Sequence, residues 1–337
     1  MKNPDDPTNA WNYQNLGTEQ IAYGNLYVSG FSGIVYCFDD VTGKLKWTYG
    51  NGGEGNSTNS GMYTPYGNYP TTVSVIADGK LYLVCNEHSP NTPLFKGAQL
   101  RCINASNGAE LWTIMDYSGG ADGGQYPVAS GYLVTFNAYD SQLYSYGKGP
   151  ISLTVDAPKT GIELGRSLII SGSVTDIAAG TQQDEQAARF PNGVAAVSDA
   201  SQSAWMEYVY MQKPKPMNTT GVTVSVNVVD ANGNYRNLGN TTSDASGMFS
   251  FTWKPDISGT YYVVASFAGS QSYWPSSAET SFAVDEAAPT ASPYPQISLP
   301  PTEMYFAIST VAIIIAIAIG FAITILMLRK RPQSFKP

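Results

Sequence analysis

Between Met304 and Leu328 the chain carries no charged residue, and its centre, Ile308 to Leu328, reads ISTVAIIIAIAIGFAITILML. A stretch this long and apolar closes all its backbone hydrogen bonds internally only as a helix, and about 20 helical residues cross the roughly 30 Å of a bilayer's hydrocarbon core. A buried core helix of the same composition would need apolar partners on every side, so the run reads as a transmembrane helix over 304–328. Arg329, Lys330 and Arg331 follow at once, while Glu303 is the last charge before it. The positive-inside rule then makes 329–337 a basic cytoplasmic tail and puts the amino-terminal ectodomain, residues 1–303, outside the cell. The lipid bilayer is thus the first expected partner, and the expected location is the cell membrane, crossed once.

Four of the eighteen basic residues lie in that tail, leaving fourteen against twenty-six acidic ones upstream, a formal charge near −12. Such an ectodomain repels polyphosphates and anionic lipid. With 13% charged residues and no basic, aromatic surface, the chain suits neither nucleic-acid binding nor a coiled coil. Its 23 tyrosines, 33 glycines and 21 prolines suit short aromatic strands joined by tight turns, so an all-β fold is expected. A single histidine excludes histidine clusters and zinc sites of several imidazoles. Met1 to Gln20 has no positive n-region, apolar h-region or cleavage site, although the ectodomain must be exported. The chain is therefore expected to be the carboxyl-terminal piece of a longer secreted precursor.

Residues 1–150 are self-similar. Ile21-Ala22-Tyr23-Gly24-Asn25-Leu26-Tyr27 recurs as Ile76-Ala77-Asp78-Gly79-Lys80-Leu81-Tyr82 and, more loosely, as Val128-Ala129-Ser130-Gly131-Tyr132-Leu133-Val134. Each copy is followed by a second strand: Val35-Tyr36-Cys37-Phe38, Leu100-Arg101-Cys102-Ile103 and Leu143-Tyr144-Ser145-Tyr146. The first two copies continue into a turn and a tryptophan strand, with Asp39 to Trp47 aligning with Asn104 to Trp112. Short alternating strands bounded by Gly, Asn and Asp turns form the pattern of propeller blades, here about three. Gly43 and Gly108 stand where a tight turn needs positive φ, beside Thr42 and Asn107, and Trp47 and Trp112 are expected to wedge between neighbouring blades.

The turn and strand A/D-x-x-T-G-x-x-x-W resembles the repeat of the pyrroloquinoline-quinone-like (PQQ-like) β-propellers. The ending Asp140-Ser141-Gln142-Leu143-Tyr144-Ser145-Tyr146-Gly147-Lys148-Gly149-Pro150 resembles the last blade of predicted archaeal membrane-anchored surface proteins of that superfamily. The second copy departs from the motif, with Asn107 for threonine and Asn104 for aspartate, which a tight turn tolerates. The resemblance covers about 1–150 and implies an incomplete propeller. It also raises the thought of a quinoprotein dehydrogenase, an enzyme built on a closed eight-bladed ring with the quinone beside a calcium ion, a catalytic aspartate and often adjacent cysteines. Here Cys37, Cys85 and Cys102 are not adjacent and no residue maps onto that site, so neither a cofactor nor dehydrogenase activity is expected.

From Ile151 the pattern changes to about seven alternating strands with turn signals, the mark of an immunoglobulin-like sandwich over 151–285. Thr242 to Phe251 resembles a T-D-x-x-G-x-F-x-F hairpin of cell-surface sandwich domains. A polar insertion, 177–220, contains Ser201 to Gln212 (SQSAWMEYVYMQ), which reads as a short helix capped by Ser201 with Trp205, Tyr208 and Met211 packed on the sandwich. A similar S-x-S-A-W-M-E-Y segment is implied for the archaeal proteins. Residues 286–303 (AAPTASPYPQISLPP in the main) form a proline-rich stalk.

Candidate chemistry is sparse. Three cysteines make no disulfide framework; Cys102 should face Tyr82 and Cys85 about Gln99, which leaves buried free thiols. Cys85-x-x-His88 lacks further zinc ligands, and Asp116 and Asp122 with Gly119, Gly120, Gly123 and Gly124 lack the oxygen spacing of a calcium loop, so no metal site is expected. Asn56, Asn104, Asn218 and Asn240 head N-x-S/T sequons available for glycosylation. No catalytic motif occurs. The expected function is therefore binding or adhesion at the cell surface to an envelope protein or glycan, with a quinoprotein dehydrogenase fragment or an envelope-assembly scaffold as alternatives.

Overall fold

A computed structural model describes residues 19–30, 33–50, 63–64, 67–68, 71–85, 99–117, 126–286 and 301–330. The chain is all-β apart from a few helices: three propeller blades, an immunoglobulin-like sandwich and one apolar carboxyl-terminal helix. Residues 1–287 and 288–337 form separate compact units.

Blade 1 is a four-stranded antiparallel meander of β1 (Gln20–Ala22), β2 (Asn25–Val28), β3 (Val35–Asp39) and β4 (Leu45–Tyr49). Blade 2 repeats it with β5 (Thr71–Ala77), β6 (Lys80–Cys85), β7 (Gln99–Asn104) and β8 (Glu110–Met115). Blade 3 has only β9 (Val128–Ala129), β10 (Tyr132–Asn137) and β11 (Gln142–Tyr146). The first hairpins turn at Tyr23-Gly24, Asp78-Gly79 and Ser130-Gly131, with both residues at positive φ in every case. Such two-residue turns match the right-handed twist of the strands they join.

One seam lies between blades 1 and 2, where Tyr27, Cys37, Trp47 and Tyr49 meet Leu81, Leu83 and Ile103. Trp47 sits on the turn of blade 2, so close that a Cβ at Gly108 would lie 2.6 Å from its ring. Trp112 stacks on Tyr146 of blade 3, centroids 5.8 Å apart. Both tryptophans therefore face the following blade. Cys37 pairs with Tyr27 and Trp47, and Cys102 with Tyr82 and Trp112; both thiols are free and buried, and burial pushes them up to about 11 and 12.

The sandwich begins at Ile151. One sheet contains β12 (Ile151–Asp156), β13 (Leu168–Asp176), β14 (Val194–Ala195) and β17 (Met248–Trp253), with β13 pairing all the others. The other contains β15 (Thr223–Val229), β16 (Tyr235–Thr242), β18 (Gly259–Phe267) and β19 (Ser276–Asp285), with Ile162–Glu163 added in parallel at one edge. Alternate valines of β15 and Ile170, Tyr261, Val263 and Phe282 fill the space between the sheets. The Thr242–Phe251 reading needs correction. Asp244 does close the turn, accepting from Ser246 N at 2.7 Å and Met248 N at 3.0 Å, but β16 and β17 belong to opposite sheets. The segment is a corner between layers, because Phe249 points into the core that both sheets share.

The insertion is stitched into the frame by β14, by α1 (Asp184–Arg189) and by α2 (Asp199–Tyr210). The helix starts at Asp199, and its N-cap is Ser198, three residues before the Ser201 of the sequence reading. Its two faces divide the work. Trp205 and Val209 pack with Val197 and with Val194 and Ala195 of β14, the strand that ties the insertion to β13, while Met211 packs with Leu100, Ile114, Met115 and Leu133 of blades 2 and 3; Met206 and Tyr210 touch both clusters. Glu207 accepts the Met115 N–H at 2.8 Å, and Arg189 donates to the Tyr208 and Val209 carbonyls near the helix end. The insertion thus joins blades to sandwich, a wider role than packing on the sandwich alone.

In the second unit, α3 (Thr302–Arg329) is long and apolar enough to cross a membrane. Glu303 lies in its first turn and Arg329 in its last. Of the expected stalk, 286–303, residues 287–300 lie outside the described residues, as do 331–337 of the expected tail, 329–337.

Candidate functional site

The hairpin turns of blades 1 and 2 lie side by side, since the Tyr23 hydroxyl accepts the Gly79 N–H at 3.0 Å. Beneath them the turn from β7 to β8 is closed by Asn104, whose Oδ1 accepts from Ser106 N at 2.8 Å and Ser106 Oγ at 2.7 Å. These turns border a cleft of about 680 Å³ lined by Tyr23, Asn25, Asp78, Gly79, Lys80, Asn104, Ala105, Ser106, Leu111 and Gln271. Gln271 comes from the loop between β18 and β19 of the sandwich. Asp199, the first residue of α2, holds that loop by accepting from Ser270 Oγ at 2.8 Å, Gln271 N at 3.0 Å and Ser272 N at 2.9 Å.

The cleft's chemistry is mixed. Tyr23 and Leu111 present exposed apolar surface. Lys80 pairs with Asp78, which holds that carboxyl below its ordinary range. Asn25 is buried and engaged, donating to the Tyr27 hydroxyl at 3.0 Å and accepting from Lys46 at 2.6 Å. Behind it, the Tyr27 hydroxyl donates to the Ala105 carbonyl at 3.0 Å, which locks the turn of blade 2 to blade 1. Such a wall is preorganised: hydrogen bonds already hold its turns, so a ligand need not order them.

The blade motif residues flank this region as structural parts. Gly43 and Gly108 have φ of 68° and 73°. Thr42 donates from both N and Oγ1 to Asp39 Oδ1 at 2.8 Å, and these bonds with Lys46 bring the Asp39 carboxyl down to about 2. Asn107 Oδ1 accepts from Ala109 N at 3.0 Å. Among the sequon residues, Asn104 is half-buried in its turn, Asn218 and Asn240 are exposed, and Asn56 lies outside the described residues. Sequence reasoning missed Tyr23, Asp78, Lys80 and Gln271 as neighbours. The recurring Tyr-Gly, Asp-Gly and Ser-Gly pairs carried the signal for aligned turns, but nothing local ties Gln271 to them.

Asp116 is not on the surface. Buried between blades 2 and 3, it accepts from Thr135 Oγ1 at 2.6 Å, Tyr126 OH at 3.2 Å and Tyr146 OH at 3.3 Å. Asp122 and the glycines around it, like His88, lie outside the described residues. Burial raises the Asp116 carboxyl above its ordinary value despite the three hydroxyls, and burial also raises Asp176. A raised carboxyl favours folding fully only below the unfolded value near 3.8, and that contribution is lost as pH rises through the folded value. Asp116→Asn should therefore gain thermal stability relative to the parent between pH 4 and pH 7. Melting curves across that range check this; a difference independent of pH counts against it.

No family model and no curated protein matches the chain. Among solved structures, fibronectin(III)-like modules of Clostridium thermocellum CbhA align at 10% identity over 66% of this chain and 98% of theirs, TM-score 0.24. A CARDB domain from Pyrococcus furiosus, in complex with di-metal ions, aligns at 10% identity over 42% of this chain and 96% of its own, TM-score 0.23. The quinohemoprotein alcohol dehydrogenase of Comamonas testosteroni aligns at 13% identity over 73% of this chain and 44% of its own, TM-score 0.21. Overlaps of this size assign neither family nor activity.

Proposed function

We propose that the chain is a non-catalytic, membrane-anchored surface protein whose turn-end cleft binds an envelope glycan. The observation that carries this reading is the cleft's pairing of an exposed aromatic ring, Tyr23, with fixed polar groups from two β frames. A sugar offers a C–H face for the ring and hydroxyls for Asp78, Lys80, Ser106 and Gln271, and a preformed wall favours capture of such a weakly hydrophobic ligand. The acidic ectodomain suits a neutral or cationic glycan better than an anionic one. The apolar α3 and the adjacent Arg329, Lys330 and Arg331 support a single span with the cleft outside and the tail inside.

Binding of the full chain in nanodiscs to a panel of envelope polysaccharides tests the proposal. One class of glycan should bind, and Tyr23→Ala and Gln271→Ala should each weaken it at least about tenfold, a change near 1.4 kcal/mol. Binding unaffected by both changes, capture of an envelope protein in place of any glycan, or a tight stoichiometric complex with quinone and calcium would overturn it.

A further inference from the structure

A strand that buries alternate residues turns the others to its second face. In β15 and β18 of the sandwich, Val226, Val228, Tyr261 and Val263 fill the core, so Val229 and Tyr262 point outward. Residues paired across strands share a face, and the register sets the outer face out in rows. Val229 pairs with Tyr262 on one side and with Tyr235 of β16 on the other. Tyr262 is 57% and Tyr235 64% exposed, with Val229 half-buried between them. In the next row Asn227 pairs with Val264 and Asn237, and in the row beyond it Ser225 pairs with Ser266 and Asn240.

The polar part of this face is already fixed. Asn237 Nδ2 donates to Asn227 Oδ1 at 2.7 Å and to Ser225 Oγ at 3.0 Å, which leaves the exposed Asn237 Oδ1 to accept from a ligand hydroxyl. Only Glu279, paired with Val264, brings a charge to these rows, in an ectodomain that is otherwise strongly acidic. Adjacent strands lie about 4.8 Å apart, so the two tyrosines, two strands apart, stand roughly 9.6 Å from each other along their row. In an extended β-1,4-linked glycan each sugar ring is turned over relative to the last. Alternate rings therefore show the same face one disaccharide length apart, a repeat that matches the spacing of the tyrosines.

We infer that this sheet face is a second binding site, for an uncharged, extended β-1,4-linked polysaccharide, with Tyr235 and Tyr262 stacking on alternate sugar rings and Asn237 hydrogen-bonding a hydroxyl beside them. The near absence of charge suits a neutral, hydroxyl-rich chain and gives a charged polymer nothing to pair with. A protein partner would need a continuous apolar centre, whereas here two tyrosines and the half-buried Val229 and Val264 alternate with amides and hydroxyls. A row of exposed rings on a rigid sheet costs little to order, since the strands that carry it are held by the core beneath. The site does not rest on the cleft reading, because none of these residues lines the cleft.

The test is calorimetric titration of the full chain in nanodiscs, with Tyr23→Ala introduced to weaken the cleft, against cellohexaose, chitohexaose and the curved, α-1,4-linked maltohexaose. Cellohexaose or chitohexaose should bind, and maltohexaose and the matching disaccharide, too short to span both tyrosines, should each bind at least about tenfold more weakly. Tyr235→Ala and Tyr262→Ala should each weaken hexasaccharide binding at least about tenfold, as loss of an aromatic anchor does, and leave the melting temperature nearly unchanged because both rings are exposed. Tyr262→Phe, which keeps the ring, should retain binding. Binding unchanged by both alanine variants, equal affinity for maltohexaose, or self-association of the chain that both variants abolish would overturn the inference. Binding by the native chain that vanishes with Tyr23→Ala alone would also overturn it and leave the cleft reading standing. Binding that survives Tyr23→Ala and falls with Tyr262→Ala would sustain it whatever the cleft does.

Discussion

Trp47→Ala should destabilise the folded ectodomain by about 3–5 kcal/mol, the usual cost of deleting a large aromatic side chain from a packed core. The ring is buried at the seam of blades 1 and 2, tilted against Tyr27 with centroids 5.9 Å apart and resting on Gly108. Among the described residues its indole N–H has no hydrogen-bond partner, so the loss is one of packing. Trp47→Phe should accordingly cost less than half as much. Gly108→Ala is harmful for two reasons, since φ is +73° and the new Cβ would meet the ring. Removing the ring relieves the second, so the double mutant should be more stable than the sum of the two single changes predicts. Urea unfolding of the four proteins measures the cycle; a Trp47→Ala loss below about 1 kcal/mol would remove the wedge from the account of the blades.

Trp205→Ala should cost a similar amount, about 3–5 kcal/mol, and change how the protein unfolds. Trp205 is buried against Val194, Ala195 and Val197, with Phe190 and Tyr208 around it, and it holds one face of α2 on β14, which pairs with β13 of the sandwich. The same helix delivers Glu207 to the Met115 amide and Met211 to the cluster between blades 2 and 3. Loosening the helix should split one thermal transition into two and speed hydrogen exchange at Met115 while leaving exchange at Val263, deep in the sandwich, protected. A single transition with unchanged exchange at Met115 would show that the blades and the sandwich are coupled without α2.

Much of the fold was legible because it is local or periodic. Glycine after Tyr23, Asp78 or Ser130 marks a two-residue turn whatever surrounds it, and the recurrence of Cys37 and Cys102 at one strand position placed them on equivalent faces before any pairing was known. The facing of Cys102 and Tyr82 follows from counting along a hairpin, and the register agrees. What failed to show was non-local. The Asp244 turn has the same bonds whether the strands after it pair or part, so its sequence does not distinguish a hairpin from a corner. Ser201 makes as plausible a cap as Ser198, and β14, two residues long, is a strand only because Asp176 and Thr175 lie beside it.

The sequence by itself determined the apolar span, the alternation of the sandwich strands, the three blade-like copies and the tryptophans between them, since each rests on a period or a run that short stretches of chain already express. Only the tertiary structure decided that α2 joins blades to sandwich, that Asp116 is an internal carboxyl, and that Gln271 shares a cleft with Tyr23 and Asp78. Those facts concern residues dozens to hundreds of positions apart, and their proximity is set by how whole sheets pack, a property of summed buried surface that no single segment encodes.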